Sequence, residues 1–314
     1  MPKHYVSLVG GLGNQLFQYA NARANNPEEK SQLIFEFGDK KRQHSLNKEI
    51  TDFTIDNYDS VTFIKRLFRV KLLFHNLILR TSSSFNSQEN FSSICRFLHS
   101  FSKVIFTCLH LGRIRVISQT GTGYTKPGLS TNQKDTFQIG YFQHCKWDNY
   151  ELVYSHLKSL NIKNPSPIFL DYRNSFLSKK VLIIHCRLGD YALEKNFGIP
   201  TKRYFDNAIK YQLNRMDYDE LVLFTNNKSE SDKFVDVKFK ARVIAEDSGL
   251  SASETLELMR LGSGYVISNS TFSWWGAFLS RSENPLVVCP TPWFIALKEP
   301  QGLIPPNWIR IKHQ

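Results

Sequence analysis

Two short clusters in this 314-residue chain carry groups suited to holding an anion. The first is His185-Cys186-Arg187-Leu188-Gly189-Asp190-Tyr191, which follows the apolar run Val181 to Ile184. A guanidinium at a strand end grips phosphate oxygens in pairs and keeps its charge at any working pH, so Arg187 is the leading candidate. Asp190 is placed to orient Arg187 or His185, or to act as a base, and His185 also reads as a satisfied core histidine. The second cluster is Ile267-Ser268-Asn269-Ser270-Thr271-Phe272-Ser273-Trp274-Trp275-Gly276. It reads as a buried strand that runs through a hydroxyl-rich turn into the first turn of a helix. Unpaired backbone N–H groups and partial positive charge gather there, and with Ser270, Thr271 and Ser273 they can hold a phosphate. The competing reading is a plain helix N-cap, worth about 1 kcal/mol of stability.

Two further patterns are weaker. Gly10-Gly11-Leu12-Gly13-Asn14-Gln15 lies between a strand-like Tyr5 to Val9 and a helix-compatible Leu16 to Ala20. Its glycines let the backbone pass close to a ligand, but the spacing is not that of a dinucleotide fingerprint, even with Glu36 in reach as the acidic partner. Asp217-Tyr218-Asp219 has the spacing of a metal-binding acidic pair. It precedes the strand at Leu221, which puts it at the opposite sheet edge from the other polar groups.

The elements that must position these groups are short apolar runs at Val181 to Ile184, Leu221 to Phe224, Ala241 to Ala245, Tyr265 to Ile267 and Leu286 to Cys289, with helix-compatible stretches between several of them. That alternation predicts a mostly parallel sheet whose binding crevice lies beyond the carboxyl ends of its strands. Those ends carry the two clusters together with Thr225-Asn226-Asn227 and Glu246-Asp247-Ser248. A turn-rich Asn161 to Pro167, after a helical Tyr150 to Leu160, divides the chain into domains at 1–160 and 161–314.

A hydrophobic share of 41% against 22% charged residues is that of a globular chain, which excludes disorder. Five scattered cysteines with no C-x-x-C pair suggest neither a disulfide framework nor a zinc site. No secretory leader or membrane span is expected, which points to a cytoplasmic protein. The net charge of +12 is uneven: 61–115 holds nine basic residues against one acid, Glu89. Within it, Phe63 to Arg80 reads as a basic amphipathic helix with Lys65, Arg66, Arg69 and Arg80 on one face. That face is either solvated or fitted to an anionic membrane surface at the inner leaflet or to a polyanionic substrate. Nucleic acid is not expected as a partner, since no nucleic-acid module accompanies the charge.

Gly10 to Ala20, His185 to Tyr191 and Ser268 to Gly276 resemble the signature blocks of glycosyltransferase family 11, the α-1,2-fucosyltransferases. Gly140-Tyr141-Phe142-Gln143, Arg203-Tyr204-Phe205, Pro292-Trp293-Phe294 and Pro306-Asn307-Trp308 are similar to it in kind and order. The resemblance implies an α/β, GT-B-like fold with two Rossmann-like domains facing a central cleft: an acceptor-side domain and a C-terminal donor domain. It implies inverting, metal-independent transfer of fucose from GDP-fucose, with no cofactor, to the 2-hydroxyl of a galactose-terminated glycan. The acceptor would be lipid-linked, as in surface polysaccharide or O-antigen repeat synthesis.

Carried onto this chain, the resemblance makes Arg187, Asn14 and Asp190 the catalytic candidates, with Glu194 as an alternative base. It makes His185, Arg187, Asn269, Ser270, Thr271, Ser273, Gly11 and Gly13 the donor-binding ones. Two departures stand out: Leu188 occupies the place of a usual second arginine, and Thr225-Asn226-Asn227 that of a Ser-Asp-Asp run. Without the resemblance, the same residues fit a non-catalytic nucleotide-binding regulator or a basic membrane-associated structural protein.

Overall fold

The computed structural model describes residues 3–8, 10–25, 32–37, 49–55, 58–60, 114–118, 135–188, 197–297 and 299–313. The chain divides into two compact units. The first comprises Met1–Lys48, Ile55–His156 and Pro300–Ile304, and the second Glu49–Thr54, Leu157–Glu299 and Pro305–Gln314. The basic segment around Phe63 to Arg80, Asp190 and Glu194 lie outside the described residues.

The first unit is built on β1 (Lys3–Leu8), α1 (Leu12–Asn25), β2 (Gln32–Phe37), β3 (Tyr58–Ser60), β4 (Ile114–Ser118) and β5 (Asp135–Ile139). Its five strands are all parallel, in the order β3-β2-β1-β5-β4. The helix after β1 begins at Leu12, four residues before the helix-compatible run in the sequence. Gly13, Asn14 and Gln15 therefore form its first turn, and the turn itself is Gly10–Gly11. Gly10 has φ of 79°, a left-handed conformation that only glycine enters without strain. α1 buries Leu12, Leu16, Phe17, Tyr19 and Ala20, which ties it to the unit's core.

α2 (Tyr150–Ser159) carries the chain to the second unit, which continues through α3 (Pro167–Leu177), β6 (Val181–Cys186), α4 (Lys202–Leu213), β7 (Glu220–Thr225), α5 (Lys228–Ser231), β8 (Arg242–Ala245), α6 (Ala252–Met259), β9 (Gly264–Ile267), α7 (Thr271–Phe278), β10 (Leu286–Thr291) and β11 (Ile309–Lys312). Its six strands are again all parallel, in the order β11-β10-β9-β6-β7-β8. Every residue of β6 and of β9 is buried, as expected of central strands covered on both faces. Helices start where the sequence supplies caps: Ser166 and Pro167 for α3, Thr201 for α4, and a reciprocal capping box of Ser251 and Glu254 for α6. Both units are thus Rossmann-like α/β layers, and the fold class is the GT-B-like one expected. The edge strand β11 carries no apolar run long enough to announce itself in the sequence.

The core of the second unit gathers Leu182, Ile184 and Cys186 of β6 with Tyr204, Phe205, Ala208 and Ile209 of α4. Its α7 is anchored by tryptophans. Trp274 and Trp275 are fully buried, their rings 4.8 Å apart edge to face, and Trp274 stacks on Phe278 at 4.4 Å and reaches Trp308 at 5.6 Å. Gly276 lets α7 approach α6, since a Cβ there would sit 3.0 Å from the Met259 Cβ. These contacts set where the hydroxyl-rich turn ahead of α7 ends up.

Candidate functional site

In the second unit the chain runs outward from β6 through β7 to β8, then returns to the other side of β6 with β9 and continues to β10 and β11. The strand order therefore reverses between β6 and β9. In open parallel sheets that switch point leaves a crevice beyond the carboxyl ends of the two strands. The residues at those ends are His185 to Arg187 on β6 and Ser268 to Ser273 after β9, with His185 in register with Ile267. The two chemically distinctive clusters of the sequence thus meet at one edge.

They are in direct contact. Ser268 N–H donates to the His185 carbonyl at 3.1 Å, and His185 Nδ1 lies 3.1 Å from Ser268 Oγ. The His185 ring sits 6.1 Å from that of Phe272 and is 5% exposed. Burial, reinforced by the charge of Arg187, pushes its pKa down to about 3, so it is neutral at any ordinary pH. A neutral imidazole here orients rather than donates charge. Arg187 itself is half-buried at the strand end. The next residue, Leu188, turns into the core and is 3% exposed. Asn226, at the end of β7, brackets that residue: its Oδ1 accepts from Leu188 N–H at 2.7 Å and its Nδ2 donates to the Leu188 carbonyl at 3.3 Å. Both departures from the family pattern are therefore in contact, and together they hold the backbone beside Arg187.

The turn ahead of α7 divides its labour. Ser270 is the N-cap, with its hydroxyl accepting from Phe272 N–H at 3.3 Å. Ser273 is fully buried and its hydroxyl donates back to the Ser270 carbonyl at 3.2 Å. Asn269 Nδ2 donates to the carbonyls of Phe197 and Gly198 at 2.9 and 3.0 Å, which fixes the chain that approaches α4. Ser273 and Asn269 thus shape the turn, while Thr271, like Arg187, is half-buried. The remaining strand ends are structural in the same way. Asn227 caps α5 through Glu230 N–H, and Glu246 to Ser248 form a short 3-10 turn closed by Gly249. Asp217 and Asp219 lie at the amino end of β7, where Asp219 Oδ2 accepts from Lys180 N–H at 2.7 Å.

The first unit has its own switch point, between β1 and β5. Beyond β1 comes Gly10–Gly11 and the first turn of α1, and beyond β5 comes Gly140 to Gln143. A Cβ on Gly11 would meet nothing within 4 Å among the described residues. Gly13 is buried inside the helix. Asn14 is half-buried, and its Oδ1 accepts from Gln143 Nε2 at 3.0 Å. Gln15 Nε2 closes the loop on the Gly10 carbonyl at 3.0 Å. Nothing in the local pattern links Gln143 to Asn14, which lies 129 residues away.

Four histidines are buried among the described residues, His4, His144, His185 and His313, and burial lowers the pKa of each. Burial holds His4 at about 4, and His144 and His185 at about 3, against an ordinary 6.5. The unfolded chain takes up these protons near pH 6.5 and the folded chain does not. Their contribution to stability is thus complete above pH 6.5 and is lost as pH falls, at up to about 1.4 kcal/mol per pH unit for each group. The melting temperature should drop steadily from pH 7 to pH 5, and His185→Asn should shrink that slope. A melting temperature that is flat across the interval contradicts the neutral, buried assignment.

The profile of the family described as glycosyl transferase family 11 matches residues 130–312, more than half of the chain. An alpha-1,2-colitosyltransferase of Escherichia coli is 27% identical over 97% of this chain and 97% of its own length. An O-antigen biosynthesis glycosyltransferase, WbnK, also of Escherichia coli, is 24% identical over 98% of this chain and 100% of its own. Among solved structures, a mutant of Arabidopsis thaliana FUT1 in complex with GDP superposes with a TM-score of 0.52 at 11% identity, covering 93% of this chain and 71% of that one. That likeness shows the fold.

Proposed function

The chain belongs to glycosyl transferase family 11, and from that premise we propose that it moves L-fucose from GDP-fucose to the 2-hydroxyl of a terminal galactose, with inversion and without a metal or cofactor. The observation that carries this reading is the adjacency of β6, which Arg187 follows, and β9, which leads into the N-terminus of α7, at the sheet's switch point. Leaving-group departure puts growing negative charge on the diphosphate, so donors aimed at that charge lower the barrier to breaking the sugar C1–O bond. Arg187 supplies a bidentate cation and α7 a helix start. Neutral His185 and Ser268 keep that edge in shape.

The acceptor oxygen attacks C1 from the face opposite the departing GDP, and its proton passes to a base, Asp190 or Glu194. Support for an O-antigen role comes from the name of the WbnK relative. The nine cations of 61–115 suit a galactoside carried on a lipid at an anionic leaflet. Among the described residues no helix is long and apolar enough to cross a membrane.

The colitosyltransferase relative favours a second donor. Colitose is the 3-deoxy counterpart of fucose, so the two sugars are told apart only by whether a polar group in the site is left unpaired. A panel measuring GDP release from GDP-fucose, GDP-mannose and nucleotide-linked colitose, with and without a β-galactoside and EDTA, separates the readings. GDP-fucose should turn over with the galactoside and EDTA should not matter. Faster turnover of the colitose donor replaces the sugar in this proposal, and activity that requires added Mn²⁺ overturns the metal-free transfer.

A further inference from the structure

We propose that Asn226 is a positioning residue whose carboxamide extends the β6–β7 ladder by one step to Leu188 and so holds Arg187 on the His185 face of the sheet. The inference rests on the reading above for what Arg187 meets there, a diphosphate, and every residue in it belongs to the second unit. The backbone ladder of β6 on β7 ends with Cys186 opposite Thr225, and that of β6 on β9 with His185 opposite Ile267. Arg187 and Leu188 carry the chain past both. There Asn226 Oδ1 accepts from Leu188 N–H at 2.7 Å, and Asn226 Nδ2 donates to the Leu188 carbonyl at 3.3 Å. A carboxamide presents an acceptor and a donor in one plane, as a peptide group does, so it stands in for the next residue of a paired strand.

The alternation of the strand says which way Arg187 leaves it. Leu182, Ile184, Cys186 and Leu188 all belong to one hydrophobic core, so the period of two that begins in β6 runs on to Leu188. In extended chain the residue between two core-facing neighbours projects to the opposite face. Arg187 therefore shares the face of His185. That ring lies 3.1 Å from Ser268 Oγ and 6.1 Å from the ring of Phe272 in the first turn of α7, and the charge of Arg187 helps to lower its pKa.

Arg187 thus sits between the last ladder pair and the two Asn226 bonds, with its backbone held on both sides. A guanidinium pairs with two phosphate oxygens only in a fixed orientation, so a held backbone is what makes the contact bidentate. Asn226 is itself secured. Thr225 Oγ1 accepts from Asn227 N–H at 3.2 Å and donates to the Asn227 carbonyl at 3.3 Å, and Asn227 Oδ1 accepts from Glu230 N–H at 3.2 Å as the cap of α5.

The test is a double-mutant cycle on the full chain, read as the Kd for GDP and as kcat/KM for whichever nucleotide sugar the wild-type protein turns over in the donor panel. Asn226→Ala should worsen both about tenfold, the scale of one well-placed hydrogen bond to a charged group. Asn226→Asp keeps the 2.7 Å acceptor and loses the 3.3 Å donor, and should fall between alanine and wild type. In an Arg187→Ala background Asn226→Ala should change either constant by less than about twofold, while its effect on the melting temperature should be the same in both backgrounds. Asn227→Ala, which removes the α5 cap one residue along, should lower the melting temperature and leave both constants within about twofold. An Asn226→Ala protein with wild-type constants, or an equal loss with and without Arg187, overturns the positioning role while the reading of Arg187 stands. If Arg187→Ala itself leaves GDP binding and transfer intact, that reading falls first and takes the proposal with it. A failure of the GDP-fucose reading shows instead in the panel, before any substitution is made.

Discussion

Arg187→Ala should abolish transfer, lowering kcat/KM by about 10³-fold while the protein keeps its fold. Arg187 directly follows β6, whose neighbour β9 leads into the turn ahead of α7, where the strand order reverses. It is the only arginine or lysine in the run His185 to Tyr191, and the next residue, Leu188, is buried in the core. No neighbouring residue of that run can take over its charge. Arg187→Lys should recover only part of the loss, since an ammonium cannot pair with two phosphate oxygens at once. The loss should fall on kcat as well as on KM if the arginine acts on the charge that develops as GDP departs. Asp217→Ala, at the opposite edge of the same sheet, should stay within about twofold, as expected of an exposed position remote from the chemistry. Steady-state GDP release by the two variants, with melting temperatures as the control, decides the matter. Equal losses in both would place the site elsewhere.

The largest effect on stability should come from Arg260→Met. Arg260 is 1% exposed and sits at the end of α6. It pairs with Glu257 and donates to the carbonyls of Lys158 at 2.6 Å, Leu160 at 3.0 Å and Leu279 at 3.2 Å. One side chain therefore satisfies the ends of α2 and α7 together, and through α7 it sets where the Ser270 turn lies. Substitution strands these buried carbonyls and leaves Glu257, 5% exposed, with Arg281 alone at 2.9 Å. Breaking a buried pair of this kind costs about 3–5 kcal/mol, or roughly 10 °C in the melting temperature of a unit of this size. Arg281→Ala, whose side chain is 41% exposed, should cost less than about 1 kcal/mol. Thermal melts of both variants test the contrast, and a small shift for Arg260→Met would mean that water replaces the guanidinium.

Much of the architecture is legible from local pattern. Val181 to Ile184 and Tyr265 to Ile267 are apolar at every position, which only a strand covered on both faces tolerates, and both prove to be central. Polar residues directly after such strands must lie at the carboxyl edge of a parallel sheet, so the position of His185, Arg187 and Ser268 to Ser273 along that edge follows from chain order alone. The turn at Gly10 follows too, because a glycine between a strand and a helix has few other uses.

Adjacency across the sheet is a different matter. Periodicity reports which face of a strand is buried and is silent about which strand lies beside it, since that choice is made by packing among distant segments. Only the tertiary structure returns β9 to the side of β6 and so brings Ser268 against His185, 83 residues away. The same limit governs individual polar side chains. Ser273, Asn269 and Thr271 look equally fit for a phosphate in the sequence, yet Ser273 faces its own helix and Asn269 the Phe197 and Gly198 carbonyls. A buried polar group bonds whatever acceptor the fold places within reach. Which acceptor that is, for Asn269 as for Gln143, is decided when the two chain segments meet.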